Sequence, residues 1–164
     1  MIDGLDLLSR VCRACELVGL DVQEALAELG ETAAQGLPMS LMFELAHVPQ
    51  AARQLSITAE PAVGEIQAAV RLLQAHRHPV WVYAALQIQH EWPHNGIRFS
   101  MDMANGDLVL SGVLPVQDLD PQDLAALLGD VILGMNRLLA LGDAASVPSD
   151  PQGSGVAPDL MVRG

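Results

Sequence analysis

The chain has 164 residues, 51% of them hydrophobic, and it carries a formal net charge of −12 at pH 7. All eight basic residues are arginine. A Walker phosphate-binding loop is therefore excluded, because that motif requires lysine, and the negative charge argues against a nucleic-acid partner. The length predicts one domain that can bury a core without disulfides or metals.

So many apolar residues in so acidic a chain indicate more apolar surface than a small core uses, kept soluble by charge repulsion. We therefore expect a stable dimer, an apolar partner chain, or both. The start of the sequence lacks the basic region of a secretory signal, and no run of eighteen apolar residues predicts a membrane span. Two cysteines are too few for a disulfide framework. The predicted location is the cytoplasm.

Two helices are predicted at the start of the sequence. Asp3 is a suitable N-cap for a first helix that runs to about Val18, with apolar residues recurring at three- and four-residue steps. A second, short helix fits residues 22–29. Asp21 is its predicted cap and Gly30 its predicted end.

The middle of the chain is predicted to contain two strands and a helix. After a loop at 31–38, apolar and polar residues alternate over 39–46 and 54–60, which predicts strands joined by a turn at 49–53. A third helix fits residues 64–77, because apolar residues there can form a stripe. The stripe consists of Ile66, Ala69, Val70 and Leu73.

Residues 80–91 allow two interpretations. A strand is favoured because apolar residues alternate there and because Trp81 and Tyr83 are residue types common in strands. The alternative is a helix that continues past Pro79, a residue that would otherwise stop or kink it.

Residues 96–110 predict a β-hairpin. Its turn is predicted at Asn105-Gly106, because both positions tolerate positive φ. Alternation places one set of apolar residues on a single face of the hairpin: Ile97, Phe99, Met101, Met103, Leu108 and Leu110.

A long apolar helix is predicted after the hairpin. Asp120 is its cap, Pro121 occupies its first position, and Gly142 ends it. Apolar residues cover about half of its circumference, which predicts contacts with two surfaces. Gly129 and Gly134 are predicted to allow another backbone to approach closely.

The last part of the chain, residues 143–164, is rich in proline, glycine and serine. This composition predicts a disordered tail. The predicted folded domain is therefore residues 1–142.

Cys12 and Cys15 form a C-x-x-C motif, which could hold zinc or perform redox chemistry. Both share a helix face with leucines, so packing as small buried hydrophobes is favoured. A zinc-binding enzyme or regulator is the alternative, and it needs a histidine pair as well. The chain offers His76 with His78, and His90 with His94.

Catalysis is not predicted. The serines lack a G-x-S-x-G setting, and no G-x-G-x-x-G motif follows a predicted strand. We expect neither an enzyme nor a bound cofactor.

Three segments in the second half of the sequence carry a family resemblance. They are Gly96-Ile97-Arg98-Phe99-Ser100-Met101-Asp102, then Asn105-Gly106-Asp107-Leu108-Val109-Leu110, and then Leu114-Pro115-Val116-Gln117-Asp118-Leu119-Asp120. This order resembles the strand, turn, strand, leucine-proline run and closing helix of the class I type III secretion chaperones, the small acidic homodimers related to the Tir chaperone. More loosely, residues 5–20 resemble the first helix of that family, and residues 54–60 with the predicted helix after them resemble its third strand and second helix.

The resemblance implies an α+β fold, in which an antiparallel β-sheet of about five strands packs with α-helices, and a homodimer. It also implies a partner, the N-terminal segment of a secreted effector, held in a non-globular, secretion-competent state without ATP. An acidic adaptor that sequesters a regulatory protein is a further alternative. Sequence does not separate it from a chaperone, because both hold apolar surface of another chain.

Two sets of site residues follow from the resemblance. The faces of the first two strands, with the first helix, would contact the effector, and the hairpin would lie nearer the dimer contact. The effector set is Leu41, Phe43, Leu45, Leu55 and Ile57, and the dimer set is Phe99, Met101, Leu108 and Leu110.

Overall fold

The computed structural model describes residues 3–48, 51–91 and 96–146. These residues form four α-helices and five β-strands, which confirms the predicted α+β class. The helices are α1 (Gly4–Leu17), α2 (Gln23–Ala34), α3 (Pro79–Glu91) and α4 (Pro121–Ser146), and the strands are β1 (Met39–Val48), β2 (Ala51–Glu60), β3 (Glu65–Leu72), β4 (Arg98–Asp102) and β5 (Asp107–Pro115).

The strands form one antiparallel sheet in the order β1-β2-β3-β5-β4. Strand β3 lies at the centre, and β1 and β4 form the two edges. Between β1 and β2 the register shifts once, between Leu45 and Val48. It is regular from β2 to β4, as shown by the pairs Leu55↔Val70 and Val70↔Leu110. Side chains alternate between the two faces, so each of these pairs shares a face.

The helices cover one face of the sheet. On that inner face, Ile57, Ile66 and Val70 are fully buried, and Leu127 of α4 packs against Gly112 of β5. The opposite face carries mainly polar or small residues, mostly exposed or half-buried. Two exposed apolar side chains also lie on it, those of Met42 and Val113. The core therefore lies between the sheet and a single layer of helices, as in a two-layer α+β domain.

The predicted helix starts are confirmed at both ends of the domain. The Asp3 carboxylate accepts a hydrogen bond from the amide of Leu5 at 3.2 Å, and that of Asp120 accepts one from the amide of Gln122 at 2.8 Å. Each bond satisfies one of the amides that a helix start leaves unpaired.

The predicted ends of two helices are wrong. Helix α2 continues through Gly30 to Ala34, and α4 continues through Gly142 to Ser146. Gly142 serves packing rather than termination, because α3 lies against it. The tail was predicted over 143–164, but residues 143–146 belong to α4, and residues 147–164 lie outside the described residues.

The helix predicted for 64–77 is wrong. Residues 65–72 are strand β3, whose burial follows a period of two: Ile66, Ala68, Val70 and Leu72 are all buried. Because β3 pairs on both sides, with β2 and β5, Ala69 on its other face is buried as well. A short apolar run buried on both faces can match either a helix or a strand.

The strand favoured for 80–91 is also wrong, and the helical alternative is right. Helix α3 starts at Pro79, a residue tolerated in a first turn. Its buried residues lie at helical spacing and pack towards α4, which overrides the strand preference of the aromatic residues. They are Trp81, Ala84, Ala85 and Ile88.

The predicted hairpin is confirmed, with a longer turn than expected. Strands β4 and β5 pair from Arg98↔Ser111 to Asp102↔Asp107, so four residues form the turn. Gly106 has φ +72°, whereas Asn105 is not in the left-handed region. The Asn105 side chain instead donates a hydrogen bond to Asp102 at 3.0 Å.

Helix α4 is the central core helix. Over Pro121–Gly142 it is long and apolar enough, by length and composition, to cross a membrane. It packs against α1, α3, β3 and β5, the setting of a buried helix in a folded domain. The wide apolar stripe predicted for it is confirmed, but Gly129 is exposed and no other residue approaches it.

Candidate functional site

The five residues predicted to contact an effector lie together on the inner face of β1 and β2. Leu41 pairs with Ile57, and Phe43 pairs with Leu55. Leu55 and Ile57 are 0% and 1% exposed and Leu41 is 7% exposed, whereas Phe43 and Leu45 are half-buried. With the helices in place, only Phe43 and Leu45 of this set offer substantial surface to a partner.

A small apolar cavity adjoins the buried part of this set. It lies between α1, α2, β1 and β2, and its walls are hydrophobic side chains throughout. The lining residues are Leu8, Val11, Leu29, Met39, Leu41, Ile57 and Ala59. The cavity is about the size of one water molecule, and none of the side chains that line it carries a polar group that could orient a reaction.

Helix α2 forms one wall of this cavity. Its inward residue Ala33 is buried, while Ala25 and Leu29 are half-buried, and Val22, just before the helix, is buried. At its far end it meets α1 closely, since a Cβ atom on Gly4 would come within 1.9 Å of the carbonyl oxygen of Ala33. The sequence predicted a helix over 22–29, which includes Ala25 and Leu29, but the predicted end at Gly30 left Ala33 out of it.

The residues predicted at the dimer contact also divide into buried and half-buried ones. Leu108 and Leu110 of β5 are buried in the core, at 3% and 1% exposure. Phe99 and Met101, their partners on the edge strand β4, are half-buried. The accessible part of this set is therefore on β4.

The outer border of β4 is partly closed by α3. The side-chain oxygen Oε1 of Gln89 accepts a hydrogen bond from the amide of Phe99 at 2.9 Å. An outward amide of an edge strand is thereby satisfied within the chain, which hinders the addition of another strand there. By contrast, no backbone hydrogen bond from another described element reaches the outer border of β1.

Two exposed apolar residues on α3 were missed by sequence reasoning. Tyr83 and Leu86 are 73% and 63% exposed, and they lie three positions apart on the side of α3 that faces away from the core. Residues at this spacing are neighbours on a helix. The signal was available in the sequence, but the strand interpretation of 80–91 concealed it.

Cys12 and Cys15 are buried in the core, as favoured. Burial, with Glu16 as a smaller contribution, raises the pKa of the Cys12 thiol, and burial raises the pKa of Cys15 to about 12. Thiols in this state are poor metal ligands and poor nucleophiles. Within the described ranges, no three His, Cys, Asp or Glu residues lie where they could share a metal ion.

The described histidines of the zinc alternative make contacts of their own elsewhere in the structure. Nδ1 of His76 contacts the carbonyl oxygen of Gly106 at 3.2 Å, and the ring of His78 lies 4.6 Å from that of Trp81. His90 is exposed on α3, and His94 lies outside the described residues. The structure does not support a zinc site at Cys12 and Cys15.

An ion-pair cluster ties the hairpin turn to the end of β3. Arg71 contacts the carboxylates of Asp102 at 2.9 Å and Asp107 at 3.5 Å, and Asp107 also accepts a hydrogen bond from the amide of Gln74 at 2.9 Å. The Arg71 guanidinium, assisted by Asn105, lowers the pKa of Asp102 to about 2. Because these groups pair with one another, we interpret the cluster as structural: it holds the hairpin turn against the end of β3.

The chain was compared with known proteins. No protein-family model matches the sequence, and no curated protein matches it. Solved structures similar to this chain include the HopA1–SchA chaperone–effector complex and the ExsC–ExsE complex. A chaperone–effector complex is thus among the solved structures to which this chain is similar.

The similarity is distant in both cases. For the first structure the sequence identity is 16% and the TM-score 0.34, over 63% of this chain and 73% of the other. For the second the identity is 15% and the TM-score 0.39, over 75% of this chain and 91% of the other.

Proposed function

We propose that this protein is a type III secretion chaperone. It binds the N-terminal segment of a secreted effector and holds that segment in a non-globular state without ATP. The proposal is supported by the sequence resemblance of the hairpin, the leucine-proline run and the closing helix. The protein acts in the cytoplasm, where an effector is available before secretion.

The observation that carries the proposal is the border of β1. Its outer backbone groups make no backbone hydrogen bond to another described element, and half-buried Phe43 and Leu45 point to the inner face beside it. An extended segment can add to such a border through main-chain hydrogen bonds, with alternate side chains packed on the apolar face. This mode suits a non-globular client.

The chemistry of the site fits holding rather than catalysis. The accessible residues near β1 are apolar, and the chain has no lysine with which to bind nucleotide phosphates in a Walker loop. Binding must then be driven by buried apolar area and backbone hydrogen bonds. The net charge of −12 keeps the empty protein soluble and repels acidic chains.

The homodimer in this proposal uses the other end of the sheet. Half-buried Phe99 and Met101 on β4, with exposed Tyr83 and Leu86 on α3, supply apolar surface at that end. Because Gln89 occupies the amide of Phe99, the two copies pack through side chains and do not continue one sheet. Dimerisation and effector binding then occupy opposite borders.

A pull-down from the native cells tests the proposal. The full chain is used as bait beside its Phe43→Asp variant, and captured proteins are identified by mass spectrometry. A secreted effector that binds the parent through its N-terminal segment, and is lost with Phe43→Asp, is the expected result. Capture of a folded cytoplasmic regulator would instead favour the acidic adaptor, and capture of nothing specific would contradict both.

A further inference from the structure

We infer that α2 is a displaceable cover over the effector-binding face of β1 and β2, so that an effector segment binds after α2 has moved aside. The inference rests on the proposed function, because it assigns a regulatory role at the same site. The inference starts from two residues that are expected to bind the effector but are not accessible to it. Leu41 and Ile57, two of the residues expected to bind the effector, are closed from solvent in the free chain.

Helix α2 is packed closely against α1 where Ala33 meets Gly4, but it is packed only shallowly over the sheet. Ala33 at its end is the only described residue of the helix that is buried, and Leu29 is half-buried. Val22, just before the helix starts, is buried as well. Leu26, one turn away, is 45% exposed. Shallow burial of this kind limits the free energy that holds a helix in place, since stabilisation scales with the apolar area removed from water.

The packing beneath α2 is incomplete. The apolar cavity separates Leu29 of α2 from the sheet, and α1 borders it as well. It is lined on the sheet by Met39, Leu41, Ile57 and Ala59, and on α1 by Leu8 and Val11. An unfilled space removes dispersion contacts from every side chain that lines it. Among the described residues, no side-chain hydrogen bond or ion pair joins α2 to the sheet, so that apolar contacts alone hold the cover on this side.

The ends of α2 are suited to a change of backbone direction. Gly19 lies before it with φ +81° and Gly36 after it with φ +66°, and a Cβ atom on either would meet nothing within 4 Å. Glycine in this region keeps many backbone conformations accessible. Two such residues outside the core, one on each side of a helix, can act as hinges.

The consequence is an apparent affinity set by two steps. An effector segment that needs Leu41 and Ile57 binds only chaperone molecules in which α2 is open. Its apparent dissociation constant therefore equals the intrinsic constant divided by the open fraction, and is larger than the intrinsic one. Weakening the cover raises the affinity without changing any residue that the effector touches. The covered face is also withheld from other apolar chains while no effector is present.

The first test measures opening in the free chain by amide hydrogen exchange with mass spectrometry. We expect the amides of α2 to exchange as one unit, at least about tenfold faster than those of α1 and β2. Leu29→Ala should speed α2 further by about fivefold to tenfold, because it removes an inward contact. Leu26→Ala is the matched control, an identical change on the exposed side, and should leave the rate of α2 within about twofold.

The second test couples opening to binding. The probe is a fluorescent ten-residue peptide that alternates leucine and serine, and its dissociation constant is measured for the parent and both variants. Leu29→Ala should bind this peptide about fivefold to tenfold more tightly than Leu26→Ala. Equal binding, or weaker binding by Leu29→Ala, would show that α2 does not gate the site and would overturn the inference.

The two tests distinguish failure of the inference about α2 from failure of the proposed chaperone function. If α2 exchanges only at the rate of α1 and β2, the cover is disproved even when an effector is captured in cells. If α2 opens as expected but neither the peptide nor any effector binds, the cover exists and the chaperone proposal fails.

Discussion

The indole ring of Trp81 on α3 lies directly against Gly142 on α4. A Cβ atom on Gly142 would come within 2.2 Å of Trp81 Cδ1, which is well inside van der Waals contact. Trp81 is itself 2% exposed, so the ring is enclosed by the protein on its other sides. This contact fixes the distance between the two helices and explains why α4 passes through Gly142 without ending there.

Gly142→Ala is expected to destabilise the protein. The added methyl group forces the indole ring or the helix backbone to shift, and such overpacking lowers the free energy of unfolding by about 1–3 kcal/mol. Gly129→Ala is the matched control on α4, because that glycine is exposed and nothing lies within 4 Å of its Cβ position. The control should gain roughly 0.5–1 kcal/mol from better helix propensity. Urea unfolding of both variants checks this, and equal changes would contradict the contact.

The Arg71–Asp102 pair predicts a specific acid sensitivity. The pKa of Asp102 is lowered from 3.8 to about 2 in the folded chain. Its contribution to stability is therefore complete above the unfolded value and is lost as the pH falls from about 4 to 2. Asp102→Asn should reduce the slope of the unfolding free energy against pH in this window. The measurement is urea unfolding at several pH values, with Glu31→Gln on the exposed side of α2 as the control. An unchanged slope in Asp102→Asn would show that the pair does not form in solution.

The two cysteines are expected to resist thiol reagents in the native protein. Burial raises the pKa of both thiols, that of Cys15 to about 12, and the thiolate is the reactive form. At pH 8 a chromogenic disulfide reagent should label neither residue until urea unfolds the chain, after which both should react. Rapid labelling of the native protein would show that α1 is not packed as described and would reopen a chemical role for the pair.

Phe43→Asp and Phe99→Asp are expected to have different effects. Phe43 lies at the β1 border and Phe99 at the β4 border, and both are half-buried. The first change should abolish effector binding and leave the proposed dimer intact, because a carboxylate at the half-buried position 43 loses its remaining contact with water when the effector docks. The second should dissociate the dimer. Size-exclusion chromatography with light scattering reads the dimer, and co-purification reads binding. If both variants keep both properties, the assignment of surfaces is wrong.

The elements with strong local signals were predictable from the sequence. The start of α4 at Asp120 and the β4–β5 hairpin depend on capping and alternation, which act over a few residues. The fold class followed from these elements and from the alternation in β1 and β2.

The central strand and α3 were not predictable in this way. In β3 the spacing of Ile66, Ala69 and Val70 fits a helix as well as a strand, and pairing on both sides decides between them. In α3 the packing of Trp81 on α4 outweighs the local preference for a strand. Both outcomes depend on contacts between distant parts of the chain.

The candidate site was only half predictable. Alternation correctly placed Leu41, Phe43 and Ile57 on one face of the sheet, because side-chain direction in a strand is a local property. Which of them a partner can reach depends on α2, and the sequence does not reveal how deeply that helix packs. The predicted dimer residues show the same limit, because Leu110 is in the core and Phe99 is half-buried, although both lie on one face of the sheet.

The hydrogen bond between Gln89 and the amide of Phe99 also bears on how the protein behaves at high concentration. A sheet whose two borders are both unpaired can join copies end to end without limit and so seed fibres. Here one border has an outward amide occupied by a side chain from the same molecule, which interrupts such growth. A variant that lacks Oε1 of Gln89 would leave the amide of Phe99 unpaired, and we expect the purified variant to form filaments on storage.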